Sequence, residues 1–558
     1  MTETKEESEQ AWGRVLICGG INWATNGRKE RSANASSDLL SPQILRSLCN
    51  VKITTLITGP SANYAIVIDI YGAAYIFGKP PCPSLATEAG GIISEHHPKK
   101  ISPTSVGLKT GVKWVGGAAG RSHLFLLDSD GGVWGCGNNV VGQIGLPISG
   151  MVDKLTPIGG PWTKEADTEI VQVTAGHTFS LFLTSSGKVY AAGSSECGQL
   201  GNGKIGERLV KGGKLAYDVE VPARLVQGLE KNRIVQIASG NQHSLAMDED
   251  GLVFAWGFAG YSRLGLQDQN NRLVPTLFAG NNLATRAHAI LCGPTNSIVI
   301  DRQKMLQMAG KWKVTGDGST GQPYTYFKPI QDIMSCRVIK ASCGGCTHFV
   351  TTADATGGVM TVGFGQGVLY GELGLGPDVG KSATRPQKIE PLSGIDVIDV
   401  AGGAFFTLFL AKPNAALSDI PRYPEHIDSA SICLVCNEDK SEEDPLECER
   451  CDQPYHLGCL DPPLEEVPEG EWFCPECTQD ADAGPDEEFR PALSEKKPKK
   501  KVRPSAAESV KEETPAAKPE TLRSVTPAST SLKGTPRASA KRKDVDDGSA
   551  QGSPKRLR

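Results

Sequence analysis

The sequence predicts an all-β protein: a closed seven-bladed β-propeller, followed by a small zinc finger and a disordered basic tail. Three observations carry this. A glycine-punctuated unit recurs through roughly the first 413 residues, eight metal-ligand residues crowd into 433–477, and apolar residues become scarce after residue 480. The organisation that follows is a disordered N-terminus over 1–11, a propeller over 12–413, a linker over 414–430, a zinc finger over 431–480 and a disordered tail over 481–558.

Each copy of the repeat holds a β-rich run ending in a small residue and glycine, and then a polar turn often containing histidine. An apolar run, a further turn and a second glycine complete it. The first glycines are Gly59, Gly120, Gly176, Gly240, Gly293, Gly344 and Gly402; the second are Gly78, Gly137, Gly193, Gly257, Gly310 and Gly363, with Gly19 alone at the start. Partner glycines lie 17 residues apart four times and 19 twice, whereas successive copies are 51 to 64 residues apart. A constant inner spacing with variable connections marks a rigid strand unit joined by surface loops. The last copy, 397–410, lacks a second half, and the chain opens on an orphan second half, 13–19. Joining them completes a seventh blade, brings the two ends of the propeller to one place and removes the open sheet edges.

Within the copies, Gly240-Asn241-Gln242-His243-Ser244 and the turns Gly137-Asn138-Asn139-Val140-Val141-Gly142-Gln143-Ile144-Gly145 and Gly193-Ser194-Ser195-Glu196-Cys197-Gly198-Gln199-Leu200-Gly201 stand out. This pattern resembles the repeat of the regulator of chromosome condensation family, over about residues 12–413. The resemblance implies a propeller that docks protein partners, and the family includes guanine-nucleotide exchange factors for small GTPases. Exchange needs a wedge that displaces the nucleotide, and no wedge is legible in this sequence. The long connection 203–233, with Lys204, Arg208, Lys211 and Lys214, is the candidate for a protruding partner loop. His123, His177, His243 and His348 recur at nearly equivalent positions and read as repeat-structure residues, since a catalytic group has no reason to recur in blade after blade. Cys343 and Cys346 fall on the repeat's own glycine motif and read as core. No nucleophile–base pair stands out, so the reading is of a protein that is not an enzyme, with exchange activity left open.

The finger is read from spacing: Cys433-x2-Cys436-x11-Cys448-x2-Cys451-x4-His456-x2-Cys459-x14-Cys474-x2-Cys477. Each of the four hooks supplies two ligands on a tight turn, and tetrahedral zinc needs four, so two structural zinc ions are expected. The histidine is the fifth ligand. With Trp472 two residues before Cys474, and with Cys459-Leu460-Asp461-Pro462-Pro463-Leu464, this order resembles a plant homeodomain (PHD) finger over about 431–480. The resemblance implies a cross-brace, with Cys433, Cys436, His456 and Cys459 on one ion and Cys448, Cys451, Cys474 and Cys477 on the other.

Residues 431–480 hold two basic and fifteen acidic residues, a net charge of −13. That repels nucleic-acid phosphates and suits a basic peptide. By resemblance, a histone H3 tail would add as a strand beside Leu446 and Glu447, its arginine facing Glu449 and Asp452. Its free amino terminus would meet backbone carbonyls around Pro468 and Gly470. Glu438 and Asp439 would favour an unmodified lysine, because a methyl-lysine cage needs aromatics at set places, and here Pro445 stands three before Cys448 and Asp452-Gln453-Pro454-Tyr455 contains no Trp.

Residues 481–558 contain no Ile, Met, Trp, Tyr or Cys, and Leu, Val and Phe together number nine of 78. Such a segment cannot offset its chain entropy by burial, so disorder is expected. It carries eighteen basic and twelve acidic residues, which with the finger's charge leaves +2 for 1–430 from the total of −5. Lys496, Lys497, Lys499, Lys500, Lys501 and Arg503 read as a nuclear localisation signal, and Lys541, Arg542 and Lys543 with Lys555 and Arg556 as a bipartite one. Import receptors are thus expected partners, and direct DNA binding is expected at most through this tail. No apolar run approaches the ~20 residues a membrane span needs. The sequence therefore reads as a nuclear chromatin adaptor that recognises the histone H3 tail. The competing reading is an exchange factor tethered to chromatin by its finger.

Overall fold

The computed structural model describes residues 11–28 and 38–482, apart from 87, 89, 165–168, 279–285, 312–322, 355–356, 428–431, 439–444 and 469. Seven antiparallel sheets follow one another along the chain. Blades one to six span 53–101, 114–157, 170–225, 234–277, 287–329 and 338–388, each with four strands in order. Blade seven joins Val397–Gly402 and Phe406–Ala411 from the end of the propeller to Arg14–Gly20 and Asp38–Leu45 from its start. Register runs without a break from Arg14 opposite Ala411 to Gly19 opposite Phe406, so the two halves predicted from counting glycines do close the ring.

Why these strands form is legible in their burial. Tyr64–Asp69, His123–Asp128, Phe179–Thr184, His243–Asp248 and Phe406–Ala411 are buried at every position. A strand covered on both faces by neighbouring blades needs a continuous apolar run rather than alternation. Aromatic pairs lock one blade to the next, as with Phe125 against Phe182 and Phe349 against Phe409, both at 5.6 Å between ring centroids. At the inner edge, Gln172 both donates to the Ile237 carbonyl at 3.0 Å and accepts from its N–H at 2.9 Å. Gln236 repeats this clip on Ile290.

The second glycines sit where the third strand of each blade meets the next loop. Gly193 has φ +114°, and a Cβ there would come within 2.3 Å of the Thr178 carbonyl oxygen. Both conditions demand glycine. In blade six the position belongs to Gly365, opposite Thr347, while Gly363 faces Phe349. This hairpin has seven paired residues a side, so its closing glycine falls two residues later than spacing alone indicates. A device absent from the sequence reading holds the hairpin turns: Asp69, Asp128, Asp248 and Asp301 each accept two backbone N–H bonds from residues two and four ahead. Cys82 and Cys136 are joined in a disulfide between blades one and two, which the sequence reading did not anticipate.

The segment expected to be a plain linker is part of the fold. Asn414 caps the short helix Ala415–Ser418, and Arg422–Tyr423 pairs in parallel with Asp38–Leu45 as a fifth strand of blade seven. Its side chains find partners on both the propeller and the finger, which is why it does not run free.

Candidate zinc finger and its seat on the propeller

The finger's sheet is two residues wide, Leu446–Glu447 pairing antiparallel with Pro454–Tyr455. So small an element cannot hold a fold, and the finger's apolar core is largely its own cysteines with Tyr455 and Leu460. The four-residue sets Cys433, Cys436, His456, Cys459 and Cys448, Cys451, Cys474, Cys477 each bring their ligand atoms within 4.8 Å of one another. The pairing is the interleaved one the resemblance implied. Cys451 Sγ and Cys474 Sγ lie 3.8 Å apart, and Cys436 Sγ lies 3.4 Å from His456 Nδ1. A tetrahedron with ~2.3 Å Zn–S bonds has edges of about 3.8 Å, so the donor sets fit two structural zinc ions. Backbone N–H groups of His456 and Cys474 point at Cys433 and Cys448 sulfurs at 3.5 and 3.3 Å, easing the negative charge a Cys-rich site carries. When bound, each ion ties the distant hooks together, as no apolar core of this size could.

The residues expected to meet a peptide are scattered differently from one another. Leu446 and Glu447 form the strand, and among the described residues they pair on one edge alone. Gly470 lies in a loop with φ +88°, two residues after Pro468. Glu438 accepts through its carbonyl from the Cys433 N–H at 3.4 Å. Asp439 lies outside the described residues, as do Met1 to Gln10 and every basic residue of the two localisation signals. Trp472 packs edge-on against Tyr455 at 5.6 Å, in the finger's core.

Glu449 and Asp452 are the finding. Arg422 Nε lies 2.9 Å from Glu449 Oε2, and its Nη2 lies 3.3 Å from Glu471 Oε1. Arg46, from the turn after Asp38–Leu45, bonds Asp452 Oδ1 through Nη1 and donates to the carbonyls of Pro424, Glu425 and Glu449. Arg14 reaches Glu471 Oε2 at 3.5 Å and lies over the Phe473 ring at 5.7 Å. Burial raises the Glu449 carboxyl above its ordinary range, with Arg422 pulling the other way. Elsewhere in the contact, Asn50 donates to the Cys477 carbonyl at 2.6 Å, and within the finger Arg450, fully buried, sits 3.7 Å from Asp480. The finger is thus seated on the propeller through arginines that sequence reasoning had not singled out. Nothing marks Arg14, Arg46 or Arg422 in the chain, because each acquires its role from a residue 27 to 457 positions away.

The repeat histidines divide in two. His123 and His243 stand at equivalent places, opposite Gly137 and Gly257, and bond Ser180 and Ser297 of the next blade through Nε2 at 2.8 and 3.1 Å. Asn296 takes the same place in blade five and meets His348 at 3.1 Å. Burial lowers His123 and His243 to about 3 and His348 to about 4. His177 belongs to a turn instead, half-buried beside Arg121. Cys343 ends its strand in the core, where burial pushes its thiol up to about 12.

Comparison with known proteins agrees with this architecture. Residues 14–409 match the model of the RCC1-like domain, and residues 433–477 match that of the PHD-finger. The protein RCC2 homolog of Xenopus laevis is 29% identical over 445 residues, covering 75% of this chain and 82% of its own, and human RCC2 is 27% identical over 443 residues, covering 76% and 81%. Among solved structures, human WBSCR16 aligns with a TM-score of 0.57 at 20% identity, over 72% of this chain and 99% of its own. Prp20p of Saccharomyces cerevisiae aligns at 0.54 and 19%, over 73% and 93%. Seven closed blades, glycine-punctuated hairpins and two interleaved Cys/His sets converge with these matches: the chain belongs to the RCC1-like domain family and carries a PHD finger after its propeller.

Proposed function

We propose that this protein is a nuclear chromatin adaptor whose finger reads the unmodified N-terminus of histone H3 and whose propeller docks protein partners. One observation carries the reading: Glu449 and Asp452, the carboxylates expected to receive a peptide's arginine, hold guanidinium groups in the structure. Arginine forks match carboxylates in a way ammonium groups do not, so a site that takes one in cis has the chemistry to take one in trans. The strand edge at Leu446–Glu447 offers the backbone pairing. Prp20p, which shares the fold, is described together with its binding to Gsp1p and histones, which supports a histone-facing role. The two basic clusters of the tail support nuclear import.

The test is calorimetric titration of the full chain with matched H3 peptides. Binding of the unmodified peptide is expected, with loss on acetylating its amine or replacing its second residue, arginine. Trimethylating the fourth residue, lysine, is expected to leave binding unchanged or weaker. A preference for the trimethylated form removes this specificity, and no binding to any form removes the reading.

A second reading, nucleotide exchange on a small GTPase, gains from one structural feature. The expected connection 203–233 is broken by Val219–Leu225, the fourth strand of blade three, and before that strand Arg208–Val210 and Lys214–Ala216 pair as a separate hairpin. Leu209 and Leu215 stand opposite each other on it, 75% and 52% exposed. An exposed apolar pair on a paired hairpin is the kind of wedge that exchange needs. Release of fluorescent nucleotide from candidate GTPases, abolished by replacing both leucines with aspartate, would establish it; no acceleration from any candidate would remove it.

A further inference from the structure

The finger's acidic face is already electrically satisfied. Three carboxylates, Glu449, Asp452 and Glu471, meet three guanidinium groups, those of Arg14, Arg46 and Arg422. Both oxygens of Asp452 are engaged, Oδ1 by Arg46 and Oδ2 by the Ile427 N–H at 2.9 Å. Both oxygens of Glu471 are engaged as well, one by Arg14 and one by Arg422. An arriving guanidinium would find no net negative charge here, and its neighbours would be other arginines. Like charges at this distance repel, so the newcomer and the residents exclude one another.

We propose that Arg46 and Arg422 act as a latch, holding the finger's arginine-reading carboxylates in cis so that a ligand peptide binds only by displacing them. The inference rests on the histone reading above and adds its regulation. The latch is built to yield. Arg422 lies on a two-residue strand paired in parallel with Ile44 and Leu45, the shortest strand pairing in blade seven. Arg46 fastens the same stretch by donating to the carbonyls of Pro424 and Glu425. Release of 422–427 would therefore free Glu449 from Arg422 and Asp452 Oδ2 from the Ile427 N–H without opening the other four strands of the blade, and with the carbonyls of Pro424 and Glu425 gone Arg46 would hold Asp452 Oδ1 without its anchor on that stretch. A closed latch lowers the apparent affinity in proportion to the fraction of molecules in which it is open. Partners that pull on this stretch, or on the turn holding Arg46, would raise histone affinity from the propeller side.

Arg46→Gln and Arg422→Gln, together in the full chain, test the latch by calorimetry against the unmodified H3 peptide. If one unaltered molecule in ten is open, the variant binds about tenfold more tightly. The gain disappears when the peptide's second residue is alanine. Equal affinity of variant and unaltered protein, each still dependent on the peptide's arginine, overturns the latch and leaves the histone reading standing. No binding by either protein overturns both. Because Arg46 is buried, the variant must retain two zinc ions per chain for its result to count. A second measurement needs no variant: saturating peptide on the unaltered chain should raise amide exchange at Ile427, whose partner is Asp452. Unchanged exchange there in a formed complex overturns the latch.

Discussion

The propeller and the finger solve the same problem by opposite means. The propeller buries continuous apolar strands between blades and closes its ring on Arg14–Gly20, so its stability is spread over seven mutually supporting sheets. The finger has a two-residue sheet and a core made largely of its own ligands. What the finger lacks in apolar area it recovers from metal and from its seat on the propeller. The contrast shows how a domain too small to fold on burial alone can be made dependable: cross-link it with ions, then dock it.

The largest way to break that comparison is to remove a ligand. Cys448→Ser is expected to drop zinc from two ions per chain to one or none, and to unfold the finger, since a structural zinc site contributes roughly 10 kcal/mol or more to a module of this kind. The propeller should stay folded but lose the cover over Arg46 and Asn50. Elemental analysis with hydrogen exchange resolved by region checks this. Full protection of 432–480 without the metal would show that docking alone suffices.

Acid sharpens the comparison from the propeller's side. His123, His243 and His348 stay neutral in the fold down to about 3, 3 and 4, whereas an unfolded chain takes up their protons near pH 6.5. Between those values the unfolded state binds more protons, so stability declines as pH falls below about 6.5 and is fully present above it. Each histidine can cost up to about 1.4 kcal/mol per pH unit in that window. His243→Asn, which copies Asn296 of blade five, should remove about one third of the part of the slope that these three histidines carry. Denaturant unfolding at pH 7.5 and pH 5 measures it, and an unchanged slope would mean His243 is protonated in the fold.

The smallest expected effect is on the blade-three hairpin. Leu209→Asp with Leu215→Asp should change propeller stability by no more than about 0.5 kcal/mol, because neither side chain packs in the core. A loss of several kcal/mol would reassign the hairpin from partner contact to fold.

Much of this was legible in the chain. Eight ligands at fixed spacing defined the finger, because metal coordination is set by a few residue types at short range. Glycine spacing defined the blades, because only glycine tolerates the close approach to Thr178 and its counterparts. The spacing misplaced one glycine, Gly363 for Gly365, where a longer hairpin shifted the register. It also grouped His177 with His123 and His243, although that residue sits in a turn. The linker was misjudged for a related reason: Arg422–Tyr423 is a strand only because Ile44 and Leu45 lie beside it.

By itself, then, the sequence determined the ring of seven, the two-metal finger and the acidic character of its strand edge. All three follow from local residue chemistry repeated or spaced along the chain. Only the tertiary structure decided that the finger rests on blade seven, and that Glu449 and Asp452 face arginines from the propeller side. Ion pairs between residues tens to hundreds of positions apart leave no periodicity and no spacing, since a charge has no sequence signature until the fold supplies its partner.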